Sequence, residues 1–241
     1  VDNKGKEVIT RYTVGDFSNN QIFYTDANGR QQVKRQVNKR SDFTYNADEE
    51  PVSSNYYPVT SKIVIKDEKQ KLEVAILNDR AEGGTSLQEG AVELMVHRRL
   101  KQDDGYGVGE VLSEVQYGKG LYVRGQHYLT FGSTESKVES GRSTAALERE
   151  LAHRVLLAPR VFFADATVDE LSTLEKVQGL IDFKFEALKT ALPENVHILT
   201  LEPWKDSYIL RLEHLMEKGE DDVLSGEVTV DLQVGNLEEV C

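Results

Sequence analysis

The chain has 241 residues, 29 Lys and Arg against 41 Asp and Glu, a formal net charge of -12 and one Cys, Cys241. An acidic surface repels phosphate backbones and anionic lipids, so neither nucleic acid nor a membrane surface is an expected partner, and one cysteine builds no internal disulfide framework and no cysteine-based metal site. A hydrophobic fraction of 39% with 29% charged residues reads as an ordinary soluble globular protein, and no apolar run approaches the roughly 18 to 20 residues of a membrane span.

The polar opening Val1-Asp2-Asn3-Lys4-Gly5 predicts no signal peptide. Glu7 to Tyr12 already read as a strand, and the chain stops at Glu238-Glu239-Val240-Cys241 without a tail. Ends of this kind predict either a piece of a longer polypeptide or a trimmed compact domain. Strands with one buried face alternate apolar and polar side chains. That pattern marks Ile63 and Ile65, then Leu72, Val74 and Ile76, and most clearly Val228, Val230, Leu232 and Val234. Further strands are predicted over 21–24, 91–96, 120–131, 160–164, 196–201 and 208–214. Ala27-Asn28-Gly29, Glu82-Gly83-Gly84, Asp103-Asp104-Gly105 and Lys218-Gly219-Glu220 read as the turns between them, because Asn and Gly tolerate positive φ. Phe23-Tyr24 and Tyr56-Tyr57 fit either sheet packing or sugar-stacking platforms.

One helix is predicted near 143–156, with Ser143 as its cap and Leu147, Leu151 and Val155 at helical spacing. Ser133–Arg142 reads as an exposed loop, and a composition shift near 167–174 and a connector at 188–193 suggest two β regions. The expected class is all-β, mainly antiparallel β-sandwich, with a first domain over 1–165 and a second over 166–241, the boundary lying between 160 and 195.

Most chemical motifs are absent. The five histidines, His97, His127, His153, His197 and His214, show no HExxH and no i, i+2 or i, i+4 pair, so no metal ligand is expected. There is no GxSxG, and Gly105-Tyr106-Gly107-Val108-Gly109 lacks the spacing and the helix of a phosphate loop. Asp103-Asp104 after Arg98-Arg99 is harder to dismiss. Two acids and two guanidiniums on one strand-to-turn segment bind sugar hydroxyls or form a solvated, mutually neutralising turn. Alternation sets Val92, Leu94 and Val96 on one side with Arg98 in phase, and Glu93, His97 and Arg99 on the other. An inward Arg98 needs a partner, which Asp103 or Asp104 would supply.

Four stretches together resemble family 38 of the glycoside hydrolases, the class II α-mannosidases: Phe23–Arg30, Asn55–Val59, Leu77–Leu87 and Glu93–Gly105. Asp79-Arg80 and Val96-His97-Arg98-Arg99 look like the lysosomal branch. Val196–Leu201, Leu210–His214 and Gly219-Glu220-Asp221 continue the likeness more weakly. The resemblance implies the C-terminal β region of that family, a galactose mutarotase-like supersandwich, in an enzyme that removes terminal α-linked mannose from N-glycans and oligosaccharides with retention. It implies zinc and an aspartate nucleophile on a catalytic domain outside this chain, so no catalytic and no metal residue is expected here. It also implies other peptides of one processed precursor as partners, a homo-oligomer, and a lysosomal or other acidic vacuolar compartment, with which a pI of about 5.0 is compatible.

In the family, the loop after the Arg-Arg strand reaches the catalytic pocket and contacts sugar. Here that segment includes Gly105 and carries Arg98, Arg99, Asp103, Asp104 and Tyr106 as the expected substrate-binding residues. The family often has Arg at the position of Tyr106, where a backbone carbonyl contact survives the change. No Asn lies in an Asn-X-Ser/Thr context, which departs from the usual glycosylation of lysosomal enzymes. The competing expectation is an independent, non-catalytic β module for carbohydrate or protein binding. A fragment of an enzyme would expose an apolar face, for which Ile22, Phe23, Val161, Phe162 and Phe163 are candidates.

Overall fold

The computed structural model describes residues 4–107, 109–135, 142–163, 165–181, 188 and 190–231. Two compact units emerge: Val1–Leu156 with Met216–Ser225, and Leu157–Leu215 with Gly226–Cys241. The described elements make the chain all-β in class, with every strand pairing antiparallel.

In the first unit, β1 (Lys6–Thr13), β2 (Ile22–Ala27), β3 (Gln31–Gln36), β4 (Tyr57–Val59), β5 (Lys62–Asp67), β6 (Leu72–Asn78), β7 (Glu82–Thr85), β8 (Ala91–Arg99), β9 (Val115–Gln116), β10 (Lys119–Gly120) and β11 (His127–Ser133) precede helix α1 (Thr144–Leu156). One sheet runs β1-β8-β7-β4 and the other β11-β6-β5-β2-β3, with β9 and β10 as a separate short ribbon. Phe23, Ile63, Ile65, Val74 and Ile76 from the second sheet meet Val59, Val92 and Leu94 from the first in one core. Phe23 and Tyr57 pack edge-to-face at 5.7 Å within it. Arg35 and Arg40 stack on Tyr57 at 4.3 and 4.5 Å, so these aromatics serve packing.

Alternation located β5 and β6 correctly, but both of their faces are buried. Ile63, Ile65, Val74 and Ile76 face the core, while Val64, Ala75 and Leu77 pack against Leu151 and Ala152 of α1. Ser143 caps α1, its Oγ accepting from Ala146 N at 3.1 Å. The deepest side chains of the helix are nevertheless polar. Glu148 is fully buried and accepts from Lys62 Nζ at 3.0 Å and Thr130 Oγ1 at 2.9 Å. Arg149 is buried against Glu220 at 2.8 Å and the carbonyls of Gly29 and Arg30. Asp221 accepts from the backbone of Ser143, Val223 and Leu224 and so ties the helix start to the returning segment.

Several strand and turn expectations need correction. Glu82-Gly83-Gly84 is strand β7 and not a turn: it runs between β4 and β8, where a Cβ on Gly84 would lie 2.7 Å from Val59 and 3.1 Å from Leu94 of those neighbours and 3.2 Å from Ile63 of the facing sheet. Within 120–131, strand structure begins only at His127 beyond the end of β10, and 121–126 are irregular. Residues 160–163 form no strand, and Val161, Phe162 and Phe163 are exposed, whereas Phe23 is core. Val228 and Val230 lie in no strand among the described residues, and Leu232, Val234, Ala164 and Cys241 lie outside the described residues. The Asn28-Gly29 turn is as expected, both residues at positive φ.

The second unit contains α2 (Leu174–Leu180), which hydrophobic periodicity did not reveal, and the hairpin of β12 (Val196–Trp204) and β13 (Ser207–His214). Thr173 caps α2 by accepting from Lys176 N.

Candidate functional site

The end of β8 carries the expected sugar-binding residues, and a bulge decides where they point. Ile9 pairs with Met95 but Val8 pairs with His97, so Val96 has no partner on β1. One extra residue reverses the inward and outward phase beyond it. Val92 and Leu94 face the core as expected, but His97 then joins their side together with Val96, and Arg98 faces outward. Arg98 lies opposite Glu7, 3.5 Å from its carboxylate. The expected Arg98 partner, Asp103 or Asp104, is therefore corrected to Glu7.

Arg99 pairs in register with Lys6, is half-buried, and its buried Nε has no hydrogen-bond partner among the described residues. Asp103 Oδ2 accepts from Gly105 N at 2.8 Å, and Asp104 Oδ1 accepts from Tyr106 N at 2.9 Å. Each carboxylate thus shapes its own turn with one oxygen and keeps the other for solvent or ligand. Tyr106 is 95% exposed. Leu100 N donates to Val111 O at 3.0 Å across the neck of this loop. The structure gathers the five residues on one strand end and loop without joining the arginines to the aspartates.

On the outer face of the same sheet, Glu93 is buried and accepts from Arg11 Nε at 2.9 Å. Burial, reinforced by Glu93 and Glu7, pushes the Tyr56 hydroxyl up to about 12, so it remains a proton donor.

On the inner side, beside Val96 and His97, a cavity of about 540 Å³ opens. Val8, Thr10 and Tyr12 of β1, Arg80, Glu82, His127, and Leu121, Val123 and Gly125 complete its lining. His127 sits at its polar end, with Nε2 at 3.1–3.2 Å from both Glu82 oxygens and Nδ1 2.8 Å from the Tyr12 hydroxyl. A carboxylate only accepts, so it holds the proton on Nε2, and in neutral imidazole the Tyr12 hydroxyl donates to Nδ1. Burial, with the charge of Glu82, raises the Tyr12 pKa. Arg80 is neutralised by Asp79, its Nε 2.9 Å from Oδ1, while Asp79 also accepts from Gln126 N.

Tyr12, Glu82 and His127 were not anticipated as a group. The sequence offers no pairing for His127, which shows no metal-ligand spacing, and Tyr12 is 115 positions from it. The one available signal was that Asp79-Arg80 and Glu82 fell inside a family-like stretch. Among the described residues, no three His, Cys, Asp or Glu side chains converge so as to hold a metal ion.

Comparison with known proteins places the four family-like stretches of 23–105 inside one matched region. The pattern described as "Glycosyl hydrolases family 38 C-terminal domain" matches residues 1–106, and the "Glycosyl hydrolases family 38 C-terminal beta sandwich domain" matches residues 195–240. The chain is 41% identical over 235 residues to the lysosomal alpha-mannosidase of Cavia porcellus, covering 96% of this chain and 22% of that protein. It is 40% identical over 237 residues to the lysosomal alpha-mannosidase of Homo sapiens, with 96% and 22% covered. Against the alpha-mannosidase of Canavalia ensiformis the identity is 38% over 240 residues, with 96% and 23% covered. The chain spans about a fifth of the length of these relatives. Nearly all of it aligns with α-mannosidases, and both of its ends match C-terminal domains of one family: the chain belongs to glycoside hydrolase family 38, as its C-terminal β region.

Proposed function

We propose that this chain is the C-terminal part of a retaining α-mannosidase that hydrolyses terminal α-linked mannose of N-glycans and oligosaccharides. The observation that carries the proposal is the 40–41% identity across 96% of the chain to proteins named as lysosomal alpha-mannosidases. The chain's own task is to shape one wall of the pocket. Asp103 and Asp104 each offer a carboxylate oxygen left over by their turns. Arg98 is engaged by Glu7, whereas Arg99 makes no ion pair among the described residues, which favours Arg99 as the sugar ligand. Tyr106 contributes its backbone carbonyl.

Bond cleavage in this reading belongs to carboxylates outside the chain, which alone is inactive. Zinc, when bound, supplies Lewis-acid and positioning chemistry on that other part, and the residues described here do not fit it. The partners are the other peptides of the same precursor and a second copy of the assembly, in a lysosomal or vacuolar compartment. Arg99→Ala and Asp104→Ala in the assembled enzyme test the role of the loop. Loss of a charged hydrogen bond of about 1.5–3 kcal/mol lowers kcat/KM roughly 10- to 100-fold. Unchanged turnover and affinity in both variants would remove this segment from the site.

A further inference from the structure

We propose that the cavity between β1, β8 and the start of β11 is a binding site for a neutral saccharide, with Tyr12, Glu82 and His127 as its polar floor. Its volume of about 540 Å³ lies within the range of about 300–1,000 Å³ typical of small-molecule sites. The guanidinium in its lining is already engaged, Arg80 being held by Asp79 and by the carbonyl of Arg124, so it is not free to select an anion.

The remaining hydrogen-bonding capacity is that of acceptors. The Glu82 oxygens share the single Nε2–H of His127, and the Tyr12 oxygen keeps its lone pairs after donating to Nδ1. Hydroxyl groups of a sugar are the complementary donors. The walls are aliphatic, with Val8 52%, Leu121 47% and Val123 51% exposed, and they suit the C–H faces of a pyranose. The bulge at Val96 presents two successive side chains, Val96 and His97, to this one space, as bulges do where a strand re-aims its side chains.

The chemistry of the cavity does not depend on the loop at Asp103–Tyr106, so the two readings can fail separately. Histidine-labelled 241-residue chain is titrated with methyl α-mannoside, methyl α-glucoside and methyl β-galactoside while the imidazole resonances are followed by NMR. At least one glycoside is expected to shift the His127 ring saturably. Glu82→Gln and Tyr12→Phe should weaken that binding ten-fold or more. Val123→Arg, at an exposed wall position, should fill the mouth of the cavity and abolish the shift with the thermal midpoint unchanged, which keeps the test valid if the floor variants misfold. No shift of His127 with any of the three glycosides overturns the proposal. Binding lost in Asp104→Ala but kept in Glu82→Gln and Val123→Arg also overturns it, and leaves the loop reading standing.

Discussion

Asp26 accepts four backbone N–H groups, from Gly29 at 2.6 Å, Thr60 and Ser61 at 2.8 Å and Lys62 at 3.1 Å, and so locks the β2–β3 turn onto the start of β5. Leaving these donors unpaired in Asp26→Ala is expected to cost about 3 kcal/mol, read as a lower urea midpoint at unchanged slope. Gly84→Ala places a methyl against Val59, Leu94 and Ile63 and is expected to cost about 1–3 kcal/mol in the same measurement. That glycine also shows where sequence reasoning stops. A Gly-Gly pair permits a turn or a close approach of two sheets, and only residues far away in the chain decide between them. The β8 bulge is a similar case. Alternation from Val92 to Val96 is visible in the sequence, but the extra residue that sends Arg98 outward and His97 inward is defined by pairing with β1.

Helix α1 was legible as an element, from its Ser143 cap and its leucine spacing, whereas its docking was not. Leu151 does pack on Val64, Ala75 and Leu77, but the groups that fix the helix are Glu148 on Lys62 and Arg149 on Glu220. Charged residues at these positions look like a solvated face until their partners on other elements are known. Removing one member of a buried pair leaves an uncompensated charge, so Glu148→Ala is expected to destabilise by about 3–5 kcal/mol. Lys62→Met combined with Glu148→Leu should recover most of that loss. Amide hydrogen exchange of 144–156 checks both, with fast exchange in the single variant and near-native protection in the double one.

For the molecule as a whole, buried carboxylates set the pH at which the fold is most stable. Glu73 has its pKa raised by burial and by the charge of Glu148, against the pull of Lys66. Its contribution is fully present below the ordinary glutamate range and is lost as pH rises through the raised value. Asp221 has the opposite sign. Burial works to raise it, but the N–H groups of Leu224, Ser143 and Val223 outweigh burial and hold it at about 2. Its contribution is present above the ordinary aspartate value and fades as pH falls toward about 2. Stability is therefore expected to peak in mild acid, with a higher thermal midpoint near pH ~5 than near pH ~8. Glu73→Gln should flatten the alkaline side of that profile and Asp221→Asn the acid side.

The central claim is that this β region works as part of an α-mannosidase, and native mass together with hydrolysis of a chromogenic α-mannoside, measured on one sample, tests it most directly. The account predicts that activity travels with an assembly whose mass far exceeds the 27.1 kDa of this chain. An assembly of that size without α-mannosidase activity, or a stable 27.1 kDa monomer that binds sugar and joins no larger species, would contradict it.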